Sequence, residues 1–274
     1  MIPAPFEYEV AESVEHAAEL LGSNPDAKLL AGGHSLLPAM RLRIARPALL
    51  VDIGRLGDLN YIREDGDRIA IGALTRHHDV QFSDLLKEQC ALLPYTAAFV
   101  GDPQVRHRGT IGGSVAHGDP ASDMPSALLA LDAEFVVRGP DGERTVPGSD
   151  FFVSVFETAL GPQDVLTEIR VPKTGSSGYA YQKFYRRAQD WATVGVAAVR
   201  IDGGVNVGLT SMGATPLRAA AVEEALRSGA DPTAAAEHAA EGASPPSDTN
   251  GTSEYRQAVA KVLVRRALEE VLAA

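Results

Sequence analysis

Apolar residues recur along this chain in two rhythms, one of about 3.6 residues and one of two, and the breaks between them are rich in Gly, Pro, Asp and Ser. Residues 13–21 carry Val14, Ala17, Leu20 and Leu21 on one helical face, with Ser13 placed to cap the start and Gly22 to end it. Residues 28–31 form a short apolar run stopped by Gly32 and Gly33, which predicts a strand entering a tight turn. Residues 47–53 and 68–73 read as further buried strands. Residues 75–86 read as a helix capped by Thr75, and 92–100 as another helical segment. Residues 101–126 read as a long irregular stretch, the kind of loop that often carries function. Strands follow at 133–138 and 165–171, then a linker at 172–178. Beyond the linker, strands at 192–201 and 205–212 flank a hairpin turn at Gly203 and Gly204. Helices at 217–226 and 253–272 finish the chain, separated by a polar loop at 242–252. The last helix shows a stripe of Tyr255, Val259, Val262, Leu263, Ala267 and Val271. The pattern predicts an α/β first part to about residue 173 and a smaller α+β second part, with no internal repeat.

Composition narrows the function. With 25 basic and 36 acidic residues among 274, the net charge is −11, which repels phosphate backbones and argues against general nucleic-acid binding. The single cysteine, Cys90, excludes an internal disulfide framework and a cysteine-ligated metal or iron–sulfur cluster. No apolar run reaches the roughly 18 residues that span a bilayer, and the N-terminus lacks the basic start and apolar core of a signal peptide. Direct membrane insertion is therefore not expected, and a cytoplasmic location is.

Two segments carry candidate chemistry: Ala31-Gly32-Gly33-His34-Ser35-Leu36 and Thr110-Ile111-Gly112-Gly113-Ser114. A glycine pair lets the backbone approach a ligand and adopt positive φ, and successive amides in such a turn form a nest for anionic oxygens. Two such turns would suit a pyrophosphate, and each is equally readable as a plain tight turn. The sequence lacks G-x-G-x-x-G after its first strand, a Walker P-loop and a G-x-S-x-G elbow. His77-His78-Asp79 does not place two metal ligands on one helix face, so no metal site is expected.

The wording AGGHSLLPAMRLR, LVDI, IGALT and QVRHRGTIGGSVAHGDPASDMPSALLALDA, continued by YQKFYRRAQDWATVGVA and TSEYRQAVAKVLVRRAL, resembles one family nearly end to end. The family comprises the FAD-binding medium subunits of molybdenum hydroxylases, which include those of aerobic carbon monoxide dehydrogenase and, more distantly, the xanthine dehydrogenase FAD module. The resemblance implies an α+β fold: a vanillyl-alcohol-oxidase (PCMH) type FAD-binding domain over residues 1–173, in subdomains of about 1–55 and 56–173. A small C-terminal domain of antiparallel sheet plus helices would cover 176–274. It implies FAD held without a covalent bond, its pyrophosphate between the two glycine turns, so that Ala31, Gly32, Gly33, His34, Ser35, Leu36, Thr110, Ile111, Gly112, Gly113 and Ser114 carry over as cofactor-binding residues. Asp123 stands where the family has a carboxylate near the nucleotide, and its alternative is to cap a helix starting near Met124. Val100 and Leu166 stand at apolar contacts to the cofactor. Lys183 aligns with a lysine that approaches the flavin, where a cation stabilises the reduced ring, or it is an ordinary strand-edge lysine. Trp191 either stacks on the isoalloxazine ring or is a core aromatic. His107 stands where relatives often have Asn and receives no catalytic role, and His117 lines the nucleotide pocket at most.

The implied function is electron transfer. A large subunit would oxidise substrate at a molybdenum cofactor, a small subunit would carry two 2Fe–2S clusters, and this chain would pass the electrons from FAD to an external acceptor. The assembly implied is a dimer of heterotrimers, peripheral at the inner face of the membrane through partners if at a membrane at all. Two other readings stay open: a stand-alone flavin-dependent oxidase or dehydrogenase with its own small-molecule substrate, and a nucleotide-binding module without redox chemistry.

Overall fold

The structure is a computed structural model that describes residues 2–176 and 178–274; Ser177, inside the expected linker, lies outside the described residues, as does Met1. The chain opens with β1 (Glu7–Val10), α1 (Val14–Ser23), β2 (Ala27–Leu30), α2 (Leu36–Arg41) and β3 (Leu49–Asp52). The three strands form an all-parallel sheet in the order β1-β3-β2, as short strands separated by helical crossovers require. Ser13 caps α1 by accepting from the His16 amide, and Val14, Ala17 and Leu21 bury the inward face as their spacing predicts. Helix α1 ends at Asn24, two residues beyond the expected Gly22.

A second layer follows with β4 (Ile62–Asp65), β5 (Arg68–Gly72), α3 (His77–Phe82), α4 (Asp84–Gln89), α5 (Leu92–Ala97), α6 (Pro103–Arg106), α7 (Ile111–His117) and α8 (Asp123–Ala130). It continues with β6 (Glu134–Gly139), β7 (Gly142–Pro147), α9 (Gly148–Phe151), β8 (Phe152–Ser154), β9 (Glu157–Thr158) and β10 (Val165–Pro172). Five strands form an antiparallel sheet, β4-β5-β10-β6-β7, with the helices from α3 to α8 between β5 and β6. Three corrections to the sequence reading arise here. Residues 75–86 are two helices, because Ser83 leaves the helical conformation and caps α4 by accepting from the Leu86 amide. Thr75 caps neither; its hydroxyl donates to the Tyr61 carbonyl. Residues 101–126 are not irregular but hold α6, α7 and the start of α8, each short enough that its glycines and prolines masked the period.

The third layer is β11 (Tyr179–Phe184), β12 (Val194–Ile201), β13 (Gly204–Thr210) and β14 (Leu217–Arg218), an antiparallel sheet in chain order, covered by α10 (Ala220–Arg227), α11 (Pro232–Ala236) and α12 (Ser253–Ala273). The β12–β13 turn sits one residue earlier than expected, on Asp202 and Gly203, both with positive φ (50° and 79°). That is the pairing a tight two-residue hairpin demands. Residues 217–226 begin as strand and become helix only at Ala220. Helix α12 buries Ala260, Leu263, Val264, Ala267, Leu268 and Val271, whereas Tyr255 and Val262 of the expected stripe are exposed. Arg256, 2% exposed, fixes the start of α12 by gripping both Asp248 carboxylate oxygens at 2.7 and 2.8 Å. Among the described residues no helix is long and apolar enough to cross a membrane.

The first and third layers each have their own apolar core, and the largest core lies under the second sheet, reaching Tyr181, Ala197 and Val199 of the third. Helix α8 joins the second and third layers so closely that a Cβ at Gly208 would overlap the Ser126 carbonyl.

Candidate cofactor site

The first glycine motif lies between the end of β2 and the start of α2. Gly33 has φ +77°, a conformation other residues adopt at a cost, and it turns the chain so that α2 begins at Leu36. Among the described residues, the amides of Gly33, His34, Ser35 and Leu36 donate to no protein acceptor. Ser35 makes no capping hydrogen bond with its side chain, and the exposed His34 ring turns back to the Gly32 carbonyl through Nδ1 at 3.1 Å. Four consecutive free amides beside a hydroxyl form a cradle for anionic oxygens.

The second motif is built differently. Thr110 caps α7, and Ile111, Gly112, Gly113 and Ser114 are its first turn, none with positive φ. Their amides are already used: Ile111 donates to the Thr75 carbonyl, Gly112 to the Ala73 carbonyl, Gly113 to the Thr110 hydroxyl and Ser114 to the Thr110 carbonyl. Gly112 is needed for packing, since a Cβ there would stand 2.5 Å from the Ala73 side chain and 2.6 Å from its carbonyl. Gly113 faces out, where an added Cβ would meet only Thr110. The donors this motif leaves for a ligand are hydroxyls, with Ser114 3.3 Å from Ser122. The anion cradle read equally into both motifs is therefore seen in the amides of the first alone.

The two motifs adjoin. A Cβ on Gly32 would press on the Arg108 carbonyl and stand 2.8 Å from the Gly109 Cα. Arg76 holds that same Arg108 carbonyl through its guanidinium, and Arg76 also bridges to Thr110 across the backbone. Gly32, Ala31, Leu37, Asp52, Arg55 and Arg108 line a cleft of about 270 Å³ at the carboxyl ends of β2 and β3, where parallel sheets present ligand sites.

From Ser114 the wall continues through Ser122 to Asp123, at the first turn of α8. Asp123 does not cap that helix, because Ser122 occupies the cap position. It is buried, and accepts from Tyr181 Oη at 2.6 Å and from Lys183 Nζ at 2.9 Å. Burial pushes its carboxyl above the usual range, while Lys183 and Tyr181 oppose that shift. Lys183 is not a strand-edge lysine exposed to water: its side chain is 3% exposed and also donates to the Phe99 carbonyl at 3.1 Å, beside Val100. Leu166 is 5% exposed in β10, in one core with Ile111 and Val115. Trp191 stands apart, 66% exposed on the loop between β11 and β12, which rules out the core-aromatic reading. Tyr181 is not among the residues the sequence singles out, because strand β11 (YAYQKF) mixes aromatic and polar positions and hides the period-two pairing of Tyr181 with Lys183; nor is Arg108, which meets Gly32 through its backbone carbonyl and so leaves no side-chain signal. Among the described residues, no three His, Cys, Asp or Glu side chains cluster as metal ligands.

Residues 4–174 match the family described as the FAD binding domain in molybdopterin dehydrogenase, and residues 179–271 match the C-terminal domain of carbon monoxide dehydrogenase flavoproteins. The chain belongs to this family of FAD-binding dehydrogenase subunits. It is 43% identical to the carbon monoxide dehydrogenase medium chain of Hydrogenophaga pseudoflava, over 98% of this chain and 97% of that one. It is 39% identical to the 6-hydroxypseudooxynicotine dehydrogenase complex subunit alpha of Paenarthrobacter nicotinovorans, over 99% and 96%. The fold superposes with a TM-score of 0.96 on a chain of a carbon monoxide dehydrogenase structure from H. pseudoflava lacking the Mo-pyranopterin moiety, at 45% identity and with 100% and 99% of the chains covered. The family is thus an oxidoreductase family of the carbon monoxide and xanthine dehydrogenase type, as its motifs implied. The α+β arrangement of an FAD-binding domain followed by a small C-terminal domain is likewise as expected.

Proposed function

We propose that this chain is the FAD-carrying electron-transfer subunit of a carbon monoxide dehydrogenase-like molybdenum hydroxylase. It takes electrons from 2Fe–2S clusters on a small subunit and delivers them to an external acceptor, while a large subunit oxidises substrate at its molybdenum cofactor. The assembly is a dimer of heterotrimers on the cytoplasmic side, with no membrane insertion of this chain. The observation that carries the reading is the run of four free amides, Gly33 to Leu36, pressed against the second motif by the Gly32 contact.

The residues present fit a dinucleotide. The free amides of Gly33 to Leu36 with Ser35, and the Ser114 hydroxyl, would hold a pyrophosphate, with Ala31, Thr110, Ile111, Gly112 and Gly113 shaping the backbone around it. Val100, partly buried, would offer apolar surface with Leu166 packed in the core behind it, the Asp123–Lys183 pair a polar edge, and exposed Trp191 a ring able to cover one flavin face. Bound FAD supplies redox chemistry in one- and two-electron steps. The chain itself has only to bind, orient and shield it. That agrees with two features of the residues: Cys90 is fully buried, leaving no thiolate set for a cluster, and no nucleophile–base–orienter constellation faces the cleft among the described residues.

The experiment is an absorption spectrum of the chain, purified with any chains that accompany it, before and after acid precipitation. Flavin bands released to the supernatant as FAD, with molybdenum and iron in the accompanying chains, are the expected result. Flavin retained in the pellet overturns the non-covalent assignment. A chain that takes up no FAD, alone or with partners, overturns the reading.

A further inference from the structure

Asp123 and Lys183 meet in a polar network withdrawn from solvent, between α8 and the sheet of the third layer. Tyr181 is 1% exposed, and its ring packs edge-on to Phe99 with centroids 5.4 Å apart. Its hydroxyl takes one Asp123 oxygen, and Lys183, two residues along the same strand face, takes the other. Each carboxylate oxygen thus has one donor from β11. The hydroxyl is lodged in space left by a glycine: a Cβ on Gly195 would stand 2.9 Å from Tyr181 Oη and equally close to Thr210. Thr210 in turn lies 2.6 Å from Ser126 on α8, so the network crosses from one layer to the other and back. Burial and the neighbouring Asp123 hold the Tyr181 ionisation well above its ordinary value, so this hydroxyl stays a donor at neutral pH.

An ionised carboxylate 2.9 Å from an ammonium cancels most of its field, and a neutral one does not. We infer that Tyr181 is a positioning residue: by donating to Asp123 it keeps the carboxylate ionised and turned onto Lys183, and so sets how much positive charge Lys183 presents to the cofactor. The inference rests on Lys183 lying at the flavin, as proposed above. Loss of the Tyr181 hydroxyl favours the protonated form of Asp123, leaves the Lys183 charge less compensated, and favours added electrons on the flavin.

The test is Tyr181→Phe in the full chain, which keeps the ring on Phe99, with the FAD midpoint potential measured by dye equilibration at saturating FAD. One hydrogen bond to a charged group is worth about tenfold in an equilibrium. The expected shift is therefore positive, up to about tenfold in the preference for reduced over oxidised flavin, or roughly 30 mV for a two-electron couple. In a Lys183→Met background the same substitution leaves the potential where Lys183→Met alone sets it. A wild-type potential in Tyr181→Phe, or a shift that survives in the Lys183→Met background, overturns the proposal. Should the Phe variant not accumulate, Asp123→Asn removes the charge with little change of shape. It is expected to shift the potential in the same direction, and no shift overturns the proposal. A wild-type chain that binds no FAD instead overturns the reading beneath it.

Discussion

Gly32→Ala probes the joint between the two motifs. The added methyl group would overlap the Arg108 carbonyl and lie 2.8 Å from the Gly109 Cα and 2.9 Å from the Arg108 carbonyl carbon. Ordinary contact begins at 3.4 Å, so even the milder overlaps need about 0.6 Å of relief. All three obstacles are backbone atoms, and the segment cannot swing away freely, because Arg76 holds the Arg108 carbonyl and the His77 amide holds the Gly109 carbonyl. Overpacking of this kind costs about 1–3 kcal/mol. If the motifs separate to relieve it, most of that cost appears in ligand binding, a loss of roughly 5- to 150-fold in FAD affinity. The assay is FAD titration by flavin fluorescence, paired with thermal melts with and without FAD. Gly57→Ala is the control, since no atom lies within 4 Å of an added Cβ there. Gly32→Ala with wild-type affinity and wild-type melting would refute both the packing and the placement of the cofactor across this joint.

Gly112→Ala should behave differently: its Cβ runs into Ala73 rather than toward the cleft, so the melting temperature without FAD should fall by a few degrees, and an unchanged melt would contradict the packing role. His77 is buried, its Nδ1 has no partner among the described residues, and burial together with Arg106 lowers its pKa to about 4. The unfolded chain binds a proton near pH 6.5 that the folded chain refuses until about 4, so stability from this group is present above pH 6.5 and is lost as pH falls through that window. Denaturant titrations at pH 7 and 5 should show a smaller loss in His77→Gln, and identical losses would sink the assignment. Trp191 is the only tryptophan and is exposed, so its quenching by acrylamide should be strong and should fall when FAD is added; unaltered quenching would remove it from the cofactor site.

Where periodicity alone sets an element, the sequence was readable. Helix α1 has its cap and buried face where Ser13, Val14 and Ala17 place them, and the apolar runs of β3, β5, β6, β10 and β12 need only their own β-branched residues to declare themselves. The misread segments lack an internal period. Helices α6 and α7 are too short to show one and are interrupted by Pro103, Gly112 and Gly113. Strand β11 mixes Tyr, Gln and Lys because one side meets α5 and the Asp123 carboxylate while the other is covered by α12, where Gln182 donates to Glu270. For α12, the stripe shifted toward Ala260 and Val264, because its rotation is set by the sheet it covers and by the Arg256–Asp248 grip.

The sequence by itself determined the family, the acidic surface, the lack of cluster-binding cysteines and the two glycine motifs, since these depend on residue identity and spacing along the chain. Tertiary structure decided what each glycine is for. Gly33 bends the backbone and frees four amides, Gly112 makes room for Ala73, and Gly32 makes room for Arg108. It also decided that Lys183 is paired, by bringing Asp123 across 60 residues of chain, with Tyr181 on the carboxylate's other oxygen. A glycine looks the same in any sequence, and the charge a lysine shows depends on what the fold sets beside it, so neither could be read before the layers were assembled.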